Sequence, residues 1–181
     1  MSRSIARAEI VVDVAAIRHN VRTLRDLVGP DVAMMTVVKA DGYGHGMAES
    51  ARAARDGGAA WLGVATIDEA LALRAAGDTG RVLCWLTVPG EDYRAAVERD
   101  IDITVYSRAE LDEVVAAAGD LVPRVQIKVD TGLSRGGAPP AAWADLFAAA
   151  ADQERAGRVA VTGIWSHFSS SDEPDDPAND A

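Results

Sequence analysis

The sequence predicts an α/β fold built from repeated strand–helix units. Apolar runs of strand length alternate with segments of helical periodicity, and the connections between them are short, as in βαβ units with a parallel sheet. The runs are nearly continuous in apolar residues, which is typical of strands covered on both faces. Two architectures satisfy this pattern, a doubly wound sheet and a (β/α)8 barrel.

The first predicted unit is a short strand at AEIVVD, residues 8–13, followed by a helix. Asp13 has the residue type and position of an N-cap, and Gly29-Pro30 is expected to end the helix. The helix has one apolar face, made of Ile17, Val21, Leu24 and Val28.

Six more strands alternate with helices along the rest of the chain. They are predicted at residues 32–40, 61–65, 81–88, 102–106, 123–130 and 158–168. Their starts lie about 25 residues apart, so that eight such units need about 200 residues, and about six of the eight are expected in these 181. Two pairs have the spacing of capping boxes at helix starts, Thr66 with Glu69 and Ser107 with Glu110.

The chain is acidic, with 18 Lys and Arg against 28 Asp and Glu and a formal net charge of −10. That balance argues against a nucleic-acid partner, which usually requires a basic face, and against an anionic membrane surface. No apolar run approaches the roughly 20 residues of a membrane span, and the first residues lack the apolar stretch of a secretory signal. The single cysteine, Cys84, leaves no internal disulfide to form. We therefore expect a cytoplasmic protein with neither a nucleic-acid nor a membrane partner.

The first candidate site is VVKADGYGHG, residues 37–46. Lys39 ends an apolar strand on the same face as Met35 and Val37, where a lone cation is costly unless it is paired or neutral. A neutral lysine in an apolar pocket is a nucleophile, and the three glycines around Tyr43 let the backbone approach a ligand closely. From the residues alone, Lys39 could equally extend from the strand end into solvent, and the glycines could form only a turn.

Two further candidate sites follow later strands. KVDTGLSRGG, residues 128–137, places Arg135 in a glycine-rich loop, where its planar guanidinium could bind a carboxylate or a phenolate. WSHFSSSDE, residues 165–173, places His167 at a strand end. Taken singly, a loop arginine and a strand-end histidine are also ordinary structural features. The other two histidines lack the spacing of metal ligands, so that no metal site is expected.

Together these segments resemble the bacterial alanine racemases, pyridoxal-phosphate-dependent enzymes of fold type III. VVKADGYGHG is similar to the family's cofactor-attachment segment, KVDTGLSRGG to its K-x-D-T-G-M-x-R-x-G loop, and WSHFSSSDE to its T-H-F-A-x-A-D-E strand end. The opening AEIVVDVAAIRHN matches the family's first strand and helix, so that the resemblance covers the chain from end to end. It implies a (β/α)8 barrel of TIM type, here incomplete and without the family's C-terminal β-domain.

The resemblance also implies how the chain is divided. Residues 1–181 would be one N-terminal portion of the barrel domain. Residues 1–13 would form a leading strand that, in the family, packs with the C-terminal β-domain. Residues 169–181, with five acids and no base, would form a loop on the catalytic face, cut before its next helix.

Each candidate residue has an implied role. Lys39 would carry pyridoxal 5'-phosphate and, once released from it, act as a catalytic base. Tyr43 would donate to the cofactor phosphate, Arg135 would contact both the cofactor's phenolic oxygen and the substrate carboxylate, and His167 would lie against the pyridine ring. Lys128 matches a lysine that is carbamylated in some members of the family, where it orients the arginine.

The implied activity is the interconversion of L- and D-alanine for peptidoglycan synthesis. The second base would be a tyrosine of the C-terminal β-domain acting across the interface of a homodimer, so that these 181 residues alone are expected to be inactive. Two alternatives remain, a racemase of the same fold for another small amino acid such as serine, and a non-catalytic pyridoxal-phosphate protein with a similar barrel. Proteins of the latter kind lack the G-Y-G-H-G run, so that Tyr43 to Gly46 count against it.

Overall fold

The computed structural model describes residues 8–180, and its six strands form one parallel sheet. The strands are β1 (Met35–Val37), β2 (Trp61–Val64), β3 (Arg81–Cys84), β4 (Asp102–Val105), β5 (Arg124–Lys128) and β6 (Ala160–Trp165). Each strand pairs with the next one along the chain. A doubly wound sheet reverses its strand order at a switch point, whereas this order runs in one direction. The fold is therefore an incomplete (β/α)8 barrel, as the resemblance implies.

Helices connect the strands and cover one face of the sheet. They are α1 (Val14–Val28), α2 (Lys39–Tyr43), α3 (Met47–Gly57), α4 (Ile67–Ala75), α5 (Tyr93–Glu98), α6 (Arg108–Ala118) and α7 (Pro140–Arg155), with a 3-10 helix at Pro177–Asp180. The segment α2 is a single turn. Within residues 8–180, no helix combines the length and the apolar character needed to cross a membrane.

Side-chain caps start several helices where the sequence predicts them. Asp13 caps α1 through its carboxylate, and Thr66 with Glu69 forms the complete capping box of α4. At α6, Ser107 accepts a hydrogen bond from the Glu110 N–H, as predicted. The Glu110 carboxylate, however, accepts from the Tyr106 N–H and not from the Ser107 N–H, so that the capping box is incomplete. These caps satisfy backbone donors that the first helical turn leaves free, and each is typically worth about 1 kcal/mol.

Strands β4 and β5 present apolar side chains to the helices and polar ones to the inner face. In β4, Ile103 and Val105 are fully buried in the hydrophobic core, and Asp102 alternates with them. In β5, Val125 belongs to the same core, while the inward positions of that strand are polar. Each buried aliphatic side chain contributes about 1.5–3 kcal/mol to folding. The helix side thus stabilises the fold, and the inner side is available for polar chemistry.

Two strand predictions are corrected by the structure. Residues 8–13 form no strand, and Ile10 and Val11 are 93% and 78% exposed. A strand requires a neighbour to pair with its backbone, and none of the described strands lies beside this segment; residues 1–7 lie outside the described part. The strand predicted over 32–40 is confined to Met35–Val37, so that Lys39 begins the turn α2 instead of ending a strand.

Candidate active site

A cavity of about 860 Å³ opens at the carboxyl ends of the strands, where barrel enzymes have their active sites. All four predicted site residues line it, namely Lys39, Tyr43, Arg135 and His167. They come from three connections that follow β1, β5 and β6. The rest of the wall comprises Met35, Val37, Ala65, Leu83, Trp85, Leu86, Tyr106, Gln126, Lys128, Gly136 and Trp165.

Lys39 begins a turn of left-handed backbone. Ala40, Asp41 and Gly42 have φ/ψ angles of 51°/52°, 53°/46° and 63°/37°, and Tyr43 has a φ of 56°. For residues other than glycine, this conformation costs roughly 1–2 kcal/mol each. Backbone strain of this kind is concentrated at functional sites, where the surrounding structure must hold it in place.

Three contacts hold the left-handed turn. The Ala40 N–H donates to Glu69 Oε1 at 2.7 Å, and the Met47 N–H donates to Asp41 Oδ1 at 2.8 Å. Gly42 packs so closely against α3 that an added Cβ would lie 2.8 Å from a side-chain oxygen. The turn is therefore fixed by α3, which follows it, and by Glu69 of the next βα unit, and with it the start of the Lys39 side chain.

The chain contains two lysines, Lys39 and Lys128, and both line the cavity. Of the acidic side chains that the structure describes, none lies within 4.0 Å of either amine. The Lys39 Nζ atom lies 5.7 Å from the ring centroid of Tyr43, within the range of a cation–π contact. Lys128 is 7% exposed, and its Nζ lies 5.0 Å from the ring centroid of Trp165.

The environment of Lys128 favours its neutral form. Burial lowers the pKa of its amine below the ordinary value of 10.5, the Arg135 charge lowers it further, and Asp130 acts in the opposite direction. The Nζ donates to the backbone oxygen of Arg135 at 3.2 Å. Lys128 therefore supports the loop that carries the arginine.

Arg135 and His167 contact each other in the cavity, with 3.2 Å between Arg135 Nη2 and His167 Nε2. A guanidinium has no acceptor, so that His167 Nε2 accepts and its ring proton lies on Nδ1. Burial lowers the pKa of His167 below its ordinary 6.5, and the charges of Arg135, Lys128 and Lys39 lower it further. These effects favour the neutral imidazole.

Asp130 shapes the loop before Arg135. Its Oδ1 accepts from the N–H groups of Gly132 and Ser134, each at 3.0 Å, and these two bonds hold the pKa of the carboxyl below its ordinary value. Ser134 has a φ of 56°, another strained position beside the cavity. These bonds help to hold the loop in which Arg135 and Gly136 line the cavity.

Sequence reasoning missed Trp85, Tyr106 and Gln126 in the cavity wall. Gln126 lies two residues before Lys128, and Trp85 and Tyr106 each directly follow a strand. The alternation of side chains along a strand was the available signal, because it places such residues on the inner face. Trp85 and Trp165 meet edge to face, with ring centroids 6.2 Å apart.

The donor set of the cavity suits a planar anionic ligand with a reactive carbonyl group. It offers amines, a guanidinium and a phenol hydroxyl as donors, and indole rings as apolar surfaces. Within the described residues, no group of three or more His, Cys, Asp or Glu side chains could hold a metal ion. The residues present therefore fit pyridoxal 5'-phosphate, which combines an aldehyde, a phenolic oxygen and a phosphate on one ring.

The parallel strands in sequential order and the cavity at their carboxyl ends define a (β/α)8-barrel protein whose site contains a lysine. The sequence matches the family described as alanine racemase, N-terminal domain, over residues 12–181. The chain belongs to this family.

Several known proteins are similar to the chain. It is 49% identical over 182 residues to the alanine racemase of Streptomyces coelicolor, a match covering 97% of this chain and 46% of that protein. For the alanine racemase of Salinispora tropica the identity is 50% over 176 residues, covering 96% and 47%. The chain spans about half the length of these curated relatives.

Solved structures of amino-acid racemases share the fold of this chain. The alanine racemase from D-cycloserine-producing Streptomyces lavendulae matches with a TM-score of 0.90 at 51% identity, covering 93% of this chain and 44% of that one. A histidine racemase from Leuconostoc mesenteroides matches with a TM-score of 0.82 at 28% identity, covering 92% and 45%.

Proposed function

We propose that this chain forms the pyridoxal-phosphate-binding part of an alanine racemase, which interconverts L- and D-alanine. The observation that carries the proposal is that one cavity is lined by Lys39, Tyr43, Arg135 and His167. Family membership and the named relatives support it.

Pyridoxal 5'-phosphate supplies an electron sink for the pair left when an α-proton is removed. Lys39 would attach it, since this lysine follows a strand end and lies in the cavity. Tyr43 would donate its hydroxyl to the phosphate, Arg135 would bind the phenolic oxygen, and His167 would lie against the ring. The two indole rings of the wall provide apolar surface around such a ligand.

The chain's own residues bind alanine and move its proton. Arg135 binds the substrate carboxylate through its planar guanidinium, which fixes the direction of the Cα–H bond. The free amine of Lys39 then takes or returns the α-proton on one face of Cα. In this proposal the substrate is a small amino acid, and the reaction requires neither a nucleic acid nor a membrane.

Racemisation needs a base on each face of Cα. In this proposal the second base is a tyrosine from the C-terminal β-domain of the partner subunit in a homodimer, and the product supplies peptidoglycan synthesis in the cytoplasm. The 181 residues by themselves then hold one of the two bases. Sustained turnover by the purified 181-residue chain would contradict this part.

The cofactor assignment is tested in the complete gene product. With pyridoxal phosphate added, Lys39→Ala should abolish the yellow absorbance that borohydride reduces, and peptide mass spectrometry of the reduced wild type should find the pyridoxyl group on Lys39. Lys128→Ala is the matched control, because it removes the other lysine of the same cavity. Absorbance that survives in Lys39→Ala would overturn the assignment.

A second candidate function is a racemase for a different amino acid. The observation that favours it is the histidine racemase, which shares this fold at 28% identity. Chiral analysis of reactions with L-alanine, L-serine and L-histidine separates the candidates. A kcat/KM for L-alanine at least tenfold above the others supports the first proposal.

A further inference from the structure

The carboxylate of Glu69 links the Lys39 turn to the end of β2. Its Oε1 accepts from the Ala40 N–H at 2.7 Å, and its Oε2 accepts from the Ala65 N–H at 2.8 Å and from the Thr66 N–H at 3.3 Å. Three backbone donors from two βα units thus meet on one side chain. Ala40 directly follows Lys39 and lies 29 residues from Glu69 along the chain.

The bond to Ala40 acts on a strained position. Ala40 is the first left-handed residue of the turn, a conformation that its local preference disfavours. A tertiary hydrogen bond to an ionised acceptor is strong enough to help hold it. Because Ala40 and Lys39 share a peptide bond, the orientation of that peptide also sets where the Lys39 side chain starts.

The second predicted capping box, Ser107 with Glu110, can be compared with Thr66 and Glu69. Glu110 stands in the same relation to Ser107 as Glu69 to Thr66, and its carboxylate accepts from the Tyr106 N–H at 2.6 Å. The hydrogen bonds found in residues 8–180 give Glu110 no second connection to a neighbouring βα turn. The link to a neighbouring turn is therefore present at Glu69, beside the lysine, and absent at Glu110.

We propose that Glu69 is a positioning residue, which orients Lys39 for its reaction by fixing the Ala40 peptide. This inference rests on the proposed function, in which Lys39 carries the cofactor and moves the proton. A carboxylate is required because all its partners are N–H donors, whereas a glutamine amide has one oxygen and would direct its NH2 group at a donor. Glu69→Gln keeps the size of the side chain. Because its single oxygen satisfies most donors when it faces the Ala65 and Thr66 N–H groups, the amide NH2 faces the Ala40 N–H, and that half of the link breaks.

The test compares Glu69→Gln with Glu110→Gln in the complete gene product loaded with pyridoxal phosphate. In Glu69→Gln, we expect amide hydrogen exchange of residues 39–46 to become about tenfold faster, because the turn loses a hydrogen bond to a charged group. The kcat for L-alanine should fall by roughly 10- to 100-fold with KM changed less than about threefold, as for a displaced reacting group. Glu110→Gln should leave the exchange of residues 39–46 as in the wild type.

Equal exchange and equal kcat in the two variants would overturn the inference. If Glu69→Gln does not fold, Glu69→Asp is used, whose shorter carboxylate keeps its acceptors but cannot span both units. Wild-type exchange in that variant would equally overturn the link. Failure of the wild type to attach the cofactor at Lys39 would instead overturn the proposed function, and hydrogen exchange would still decide whether Glu69 holds the turn.

Discussion

The two ends of the sheet hold their charges in opposite ways. At the amino end, Asp102 is fully buried, and it accepts hydrogen bonds from Arg81, Arg124 and Thr162. At the carboxyl end, the two lysines have no described acid within 4.0 Å. One end satisfies its charges internally, and the other leaves cationic groups available to a ligand.

The two ends of the sheet also differ in a second charge cluster, around Asp78, and in backbone strain. Asp78, also at the amino end, pairs with both Arg55 and Arg74. Five described residues other than glycine have positive φ, and four of them flank the cavity, namely Ala40, Asp41, Tyr43 and Ser134. The amino end therefore stabilises the fold, while strain and unpaired charge are concentrated where the site lies.

The largest expected effect is at the amino end. Asp102→Asn leaves two arginines beside a buried amide, and we expect the free energy of unfolding to fall by about 3 kcal/mol, since removing one partner of a buried charge cluster is costly. Urea unfolding at constant m-value measures it. Asp120→Asn, at an exposed ion pair with Arg94, is the control and should change the stability little. Equal urea midpoints for Asp102→Asn and Asp120→Asn would show that the buried charge cluster at the amino end contributes no more to stability than an exposed ion pair.

At the carboxyl end of the sheet, we expect removal of a buried charge to stabilise the fold. Lys128→Met removes a buried cation with a lowered pKa, and we expect stability to rise by on the order of 1 kcal/mol at pH 7. Because the unfolded chain binds the proton more tightly, the wild type should gain stability as pH rises from the lowered pKa towards 10.5. The advantage of Lys128→Met should shrink over that range. A loss of stability at pH 7 would show that the hydrogen bond from the amine to the Arg135 backbone oxygen outweighs the cost of burying the amine.

The smallest expected effect is on the titration of His167. Its pKa should lie below 6.5 in an NMR titration, so that stability falls as pH drops from 6.5 towards that pKa, where the unfolded chain takes up the proton first. Arg135→Gln should move the midpoint upward, because a nearby positive charge is removed. Arg155→Gln, on an exposed part of α7, should leave it in place. An unchanged midpoint in Arg135→Gln would exclude the charge effect.

Much of the fold could be predicted because its signals are local. The helix starts at Asp13 and Thr66 depend on residues within one turn, and the succession of strands along the chain follows from the apolar runs. The strand predicted over 8–13 is wrong for the opposite reason, since pairing depends on a neighbour that no local pattern supplies. Likewise, Lys39 lies in a left-handed turn that runs against the preference of Ala40 and requires Glu69 from another unit.

Some residues of the candidate site could likewise be predicted from local sequence, and others could not. Lys39, Tyr43, Arg135 and His167 were predictable from motifs and from the rule that strand ends carry the site, and their roles stay predictions. Trp85 was missed, because which residues face inward depends on exact strand bounds.

By itself, then, the sequence determined the family, the succession of βα units and the four residues that meet in the cavity. Tertiary structure alone decided how charge is distributed between the two ends of the sheet and how the Lys39 turn is held. The physical reason is distance along the chain. The bonds that Thr162 donates to Asp102 and Ala40 donates to Glu69 join residues 60 and 29 positions apart, and only the packing of the units against one another brings them together.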